Sequence, residues 1–177
     1  MTFKNQTIVV TGAAGNLGRA VVAAFHAASA RVVLVDAKLE FLDNSFPGDD
    51  PKLVKVAVDL LDRGATAAAM KDIHGKCGEI NALAALAGGF HMGETVHDTP
   101  DEKWDLMHDL NVRTLLHTTS AVVPYMIEQG GGKIVTVGAN VALKGIPGMG
   151  AYCTSKSTVM RLTEAMAGEL RDKAINV

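Results

Sequence analysis

Tyr152 and Lys156 stand four apart in Ala151-Tyr152-Cys153-Thr154-Ser155-Lys156, where a turn-rich segment runs into a long helical pattern. On a helix that spacing puts them one turn apart on the same face. An ammonium beside a phenol stabilises the phenolate, and a phenol so tuned exchanges a proton near neutral pH as a general acid or base. A bare Tyr-x-x-x-Lys also fits an ordinary first helical turn, so its weight comes from the rest of the chain. Near the N-terminus, the β-branched run Thr7-Ile8-Val9-Val10-Thr11 leads into Gly12-Ala13-Ala14-Gly15-Asn16-Leu17-Gly18 and then into an Ala- and Val-rich helix. Glycines between strand and helix allow a sharp turn and let the backbone approach a pyrophosphate seated on the helix N-terminus. Asp36 closes the next predicted strand. A carboxylate there accepts the ribose hydroxyls of an adenosine and repels a 2′-phosphate. Gly12, Gly15, Asn16, Leu17, Gly18 and Asp36 therefore form a predicted dinucleotide site with NAD(H) preferred. Nearby Lys38 leaves NADP(H) open. A purely structural glycine turn would leave the acid at the end of the second strand unexplained.

To position these groups the chain must alternate strand and helix. Apolar and β-branched runs predict strands at 7–11, 31–35, 53–58, 80–87 and 133–137, with a sixth beginning at 174. Between them, helices are expected at 19–28, 62–76, 100–129 and 152–172, and 38–52 is expected to be loop. Alternating strands and helices, with strands apolar throughout, imply a Rossmann-type, doubly wound parallel α/β sheet covered by helices on both faces.

Composition narrows the function classes. The length of 177 residues predicts one domain, 1–177, and 48% hydrophobic with 20% charged residues fits a packed core. A net charge of −2, 5% aromatics and no basic run argue against nucleic-acid binding. No apolar stretch has the length of a membrane span, and the opening residues do not read as a signal peptide. Cys77 and Cys153 lack metal-site spacing and fit reduced thiols, so a cytoplasmic location is expected. His26, His74, His91, His97, His108 and His117 form no ligand pattern and read as surface or packing residues, so no metal is expected. The expected partner is a small-molecule substrate.

With these motifs in order, the whole chain resembles the short-chain dehydrogenase/reductase family. Thr11 to Gly18 resembles the family's cofactor turn, Asp59-Leu60 its adenine contact, Asn111 its helix asparagine and Tyr152/Lys156 its catalytic pair. The resemblance implies that Tyr152 exchanges a proton with the substrate carbonyl. It further implies that Lys156 tunes the tyrosine and holds the nicotinamide ribose, while Asn111 supports a water reaching the lysine. Ala87, Gly88 and Gly89, after the fourth strand, complete the implied cofactor site. The family also implies pairing through the two long helices as a homodimer or homotetramer. Leu115, Leu116, Val122, Val123, Met126, Met160, Leu162 and Met166 are the candidates, although covering the sheet accounts for many of them. Family members continue past the sixth strand, so the expected domain lacks its C-terminal substrate-covering portion.

Three departures bear on function. The turn is Gly-x-x-Gly-x-x-Gly, with Asn16 where the main branch of the family has glycine. Ala85-Leu86-Ala87-Gly88 replaces the family's Asn-Asn-Ala-Gly, and Ala139 occupies the place of the catalytic serine. Losing one donor to a substrate oxygen typically costs about 10²–10³ in rate. All three departures are similar to those of dihydropteridine reductases, which reduce an easily reduced quinonoid pterin with NADH. An ordinary carbonyl/alcohol oxidoreductase, a quinonoid-pterin reductase and a weakly active or inactive NAD(H)-binding sensor or scaffold are all compatible with these residues.

Overall fold

The computed structural model describes residues 2–177. Its strands are β1 (Thr7–Thr11), β2 (Arg31–Asp36), β3 (Leu53–Ala57), β4 (Ala82–Ala85), β5 (Gly132–Thr136) and β6 (Ile175–Asn176). They form one sheet in the order β3-β2-β1-β4-β5-β6, and every pairing is parallel. The helices are α1 (Asn16–Ala27), α2 (Leu39–Ser45), α3 (Arg63–Cys77), α4 (Asp101–His108), α5 (Thr114–Glu128) and α6 (Gly150–Leu170).

Side-chain alternation along the strands divides the core between two faces. Val9, Val33, Val35, Leu83 and Ile134 pack with Met70 and Ile73 of α3, Val122 and Met126 of α5, and Leu170 of α6. The alternate residues Ile8, Val10, Val32, Leu34 and Ala84 pack with Val22 of α1 and Leu42 of α2. Because both faces are covered, the strands carry the unbroken apolar runs of a buried parallel sheet. Chain direction along the sheet reverses between β1 and β4, so the crevice beyond their carboxyl ends is the switch point where open α/β sheets bind ligands.

Four sequence expectations change. The 38–52 segment is not all loop, because α2 occupies Leu39–Ser45. Its anchor is Leu42, fully buried against the sheet, with Phe46 packed beside it. The expected strand 80–87 shortens to Ala82–Ala85. At one end, the Gln129 amide captures both backbone groups of Ile80, at 3.0 Å and 2.8 Å. At the other, the N–H groups of Leu86 and Ala87 donate to the Thr11 hydroxyl, both at 3.1 Å. The helical run 100–129 is continuous, but Asp109–Arg113 is a π-helical turn between α4 and α5. Finally, Leu115, Val122 and Met126 are buried in this chain's own core and so leave the set of interface candidates, whereas Leu116 is exposed.

Candidate active site

The glycine turn follows β1 directly. Gly12 has φ +63°, and a Cβ there would lie 3.0 Å from the Ala87 backbone, so both conformation and space require glycine. Gly18, in the first turn of α1, is more constrained still. A Cβ on it would lie 2.1 Å from the Gly12 carbonyl oxygen, so its absence lets the helix sit against the turn. Asn16 is exposed and is the first helical residue of α1, with its Oδ1 accepting from Arg19 Nη2 at 2.8 Å. That position tolerates a side chain, which explains the departure from glycine. No side chain caps α1 at Gly15, and no acid lies in its first turn. Its N-terminal N–H groups are thus open to an anion.

Asp36, at the end of β2, faces this turn. One carboxylate oxygen accepts from Ala14 N–H at 3.0 Å and the other from Ala37 N–H at 2.8 Å. Each oxygen keeps a second lone pair for a ligand. Asp36, Gly12, Gly15, Asp59, Leu60, Ala87 and Gly88 line one cleft of about 580 Å³. The Asp59 side chain turns back to accept from Leu61 N–H at 2.9 Å, and the Leu60 carbonyl is held by His117 Nδ1 at 2.8 Å. Leu17 is half exposed beside the turn but is not among the lining residues. Sequence reasoning missed Phe41, Asn44 and Ser45 of α2, which complete the cleft wall beyond Asp36. The apolar spacing of Leu39, Leu42 and Phe46 was the available signal.

Tyr152 and Lys156, the expected catalytic pair, lie on α6. Lys156 is buried, with Nζ donating to the Val137 carbonyl at 2.9 Å. Burial holds its pKa below the ordinary lysine value. Tyr152 is half-buried, and its ring meets Phe90 edge-to-face at 4.9 Å between centroids. Asn111 is buried in the π-helical turn. Its Oδ1 accepts from Gly89 N–H at 3.1 Å, while Nδ2 faces Gly89 O, Met107 O and Ser155 Oγ at 3.1–3.2 Å. The side chain is therefore a positioning group that ties the β4 exit to α6, and Ser155 is an anchor that sequence reasoning missed. Gly89 packs under Leu110, and a Cβ on Gly88 would lie 2.6 Å from Asn111 Oδ1 and 3.7 Å from Lys156 Nζ. Gly88 thus joins the cleft to the lysine. A small cavity of about 10 Å³ lies among Thr11, Asn111, Thr114, Thr136 and Lys156, which is about the room one water needs. Ala139 is extended and starts a 3₁₀ turn, and its methyl group offers no hydrogen-bond donor.

A parallel sheet with a glycine-lined cleft at its switch point, an acid on β2 and a buried lysine one helical turn from a tyrosine defines a Rossmann-type nucleotide-binding protein. The family model for short chain dehydrogenases matches residues 6–177, and the chain belongs to that family of oxidoreductases. It is 30% identical to a short chain dehydrogenase of Pseudocercospora fijiensis, over 98% of this chain and 57% of that protein. It is 35% identical to carbonyl reductase (NADPH) 2 of Sus scrofa, over 100% of this chain and 70% of that one. Among solved structures, NAD+-bound xylitol dehydrogenase superposes with TM-score 0.95 at 28% identity, covering 100% of this chain and 69% of that chain. The chain thus spans 57–70% of the length of these relatives. Among the described residues, no helix is long and apolar enough to cross a membrane, and no cluster of three potential metal ligands occurs.

The desolvated lysine has a consequence for stability. Between its lowered pKa and the ordinary value of 10.5, the unfolded chain binds the proton more tightly, so this group makes stability rise with pH. Lys156→Met removes the buried charge and should raise the melting temperature at pH 7. Its margin over wild type should narrow as pH climbs toward 10. Thermal unfolding from pH 7 to 10 checks this, and a variant melting below wild type at pH 7, or a margin widening with pH, contradicts it.

Proposed function

We propose that this protein is an NAD(H)-dependent oxidoreductase acting on a carbonyl/alcohol pair or an easily reduced quinonoid acceptor. The observation that carries the reading is Gly88, which bare of a side chain connects the cleft to both Asn111 and Lys156. The residues present fit a dinucleotide: Gly12 and Gly18 leave the space a Cβ would fill, and the α1 N-terminus is uncapped. Gly12, Gly15, Asn16, Leu17 and Gly18 would hold the pyrophosphate and Asp36 the adenosine ribose. Asp59 and Leu60 would flank the adenine, and Ala87, Gly88 and Gly89 would lie along the remainder. When bound, nicotinamide supplies or accepts a hydride.

The chain's own residues manage the proton. In reduction, the Tyr152 hydroxyl gives its proton to the substrate oxygen, and the Lys156 ammonium stabilises the phenolate left behind. One water in the cavity between Asn111 and Lys156 would let that proton be replaced from solvent. Ala139 offers nothing to the substrate oxygen, which favours an acceptor needing little oxyanion stabilisation. That observation supports the quinonoid-pterin reading in particular. A sensor or scaffold that turns over nothing is opposed by the retained Tyr152 and Lys156. The free thiols Cys77 and Cys153 support a cytoplasmic setting. Self-association through α5 and α6 is part of the proposal, resting on exposed Leu116 and half-buried Met160.

Asp36 should set cofactor choice. Asp36→Ala is expected to weaken NADH by about ten- to hundredfold while relaxing rejection of NADPH, since a ribose hydrogen bond to a charged group is worth about 1.5–3 kcal/mol. Calorimetric titration of both cofactors checks it, and equal wild-type affinity for the two would overturn the preference.

Turnover should depend on Tyr152. Tyr152→Phe keeps the ring packing and should slow NADH-linked reduction by about 10²–10⁴. Ala139→Ser restores a donor and should speed simple ketones by about tenfold or more. Wild type and both variants are compared on a ketone panel and a quinonoid acceptor. Undiminished turnover by Tyr152→Phe removes the tyrosine from its role, and tight NADH binding with no turnover of any acceptor establishes the scaffold reading instead.

A further inference from the structure

Beside Tyr152 the surface changes character. Phe90 is 57% exposed although its ring packs edge-to-face on the Tyr152 ring. Met92 and Val96, on the same loop between β4 and α4, are also exposed. This loop closes on the one between β5 and α6 through Gly93 N–H donating to Gly148 O at 2.8 Å. Val96 reaches the start of α6, where a Cβ on Gly150 would lie 2.9 Å from its Cγ2. The second loop carries Leu143 and Ile146, both exposed.

Charge on the two joined loops is sparse. His91 and Glu94 pair at 2.6 Å, while the exposed Asp98 accepts from Thr95 Oγ1 at 2.7 Å and lies 3.4 Å from His97. Lys144 is the only lysine or arginine on either loop. Ala139, at the start of the second loop, adds a methyl rather than a hydroxyl. Exposed apolar side chains gathered at one place mark a binding surface, and small-molecule sites are lined mainly by such groups. Here the patch is continuous with the reacting group, because Phe90 touches the ring that carries the Tyr152 hydroxyl. More than half of Phe90 stays exposed beside that contact and is open to an incoming apolar group.

We propose that the acceptor is an apolar carbonyl compound, aromatic or alkyl, seated against Phe90 beside Tyr152. The inference rests on the hydride-transfer reading above and adds the substrate class. Polyhydroxylated acceptors would lose water from their hydroxyls at this surface without gaining partners. On these two loops an anionic acceptor would find a single lysine or arginine, Lys144.

The test uses the full chain with NADH and three probes: 4-phenyl-2-butanone, dihydroxyacetone and acetoacetate. The phenyl ketone should show kcat/KM at least about tenfold above the other two, in the range that apolar contacts contribute to discrimination. Phe90→Asn should erase most of that preference through KM, and Phe90→Leu should retain it to within about threefold. Both variants should keep the wild-type NADH dissociation constant. If dihydroxyacetone or acetoacetate is reduced as well as the phenyl ketone, the apolar-acceptor inference is overturned while hydride transfer stands. An unchanged preference in Phe90→Asn overturns the role of Phe90. If a quinonoid acceptor is reduced and none of the three ketones is, the apolar-acceptor inference is overturned while hydride transfer stands; should NADH bind while none of the four is reduced, both fall.

Discussion

The hydroxyl of Thr11 is the contact on which the site depends. It is buried at the end of β1 and accepts from two successive N–H groups, those of Leu86 and Ala87, at 3.1 Å each. The Ala87 amide has just left the sheet and has Thr11 as its acceptor, while the Leu86 amide is shared between Thr11 and the Ala84 carbonyl, also at 3.1 Å. Leaving a buried donor unsatisfied costs about 1–3 kcal/mol. By accepting from both, one side chain fixes how far the β4 exit stands from the glycine turn. Gly12 then permits the close approach that results, since a Cβ there would meet the Ala87 backbone. Asp36 pins the other side of the same turn through Ala14 N–H. The floor of the cleft is thus preorganised by side-chain-to-backbone bonds from the ends of two adjacent strands.

The second half of the site hangs from the same segment. Asn111 holds Gly89 through both of its backbone groups and reaches Ser155 on α6. The π-helical turn gives this asparagine its place, consistent with the tendency of such turns to occur at functional positions. Residues 86–89 are therefore gripped by Thr11 on one side and Asn111 on the other. The cofactor cleft and the Tyr152/Lys156 helix are held in register through four residues. Lys156 sits at the junction, its charge desolvated and its Nζ bonded to Val137 O. Stability is given up there to bury a cation one helical turn from Tyr152.

What was legible in the sequence follows from these physics. Strands such as Thr7–Thr11 and Arg31–Asp36 are buried on both faces, so their β-branched runs read plainly. Gly12, Gly18, Asp36 and Tyr152/Lys156 were legible because each rests on residue type at a fixed spacing. The helix Leu39–Ser45 was obscured because only Leu42 among its residues is buried, and its exposed Leu39 and Phe41 blur the amphipathic pattern. With it went the cleft-lining Phe41, Asn44 and Ser45. The ends of β4 were misread because Gln129 and Thr11, distant in sequence, take over its backbone groups. Phe90 carried no signal at all, since its contact with Tyr152 crosses between two loops.

A dinucleotide in the cleft lined by Asp36 and Gly88 would run past Gly88 toward Lys156, which lies just beyond that glycine. A crystal structure of the protein with NADH bound tests it most directly. The pyrophosphate is expected at the α1 N-terminus, one ribose on the Asp36 carboxylate and the other within hydrogen-bond reach of Lys156 Nζ. NADH bound elsewhere, or lying in the cleft with its nicotinamide end turned away from Lys156 and Tyr152, would contradict it.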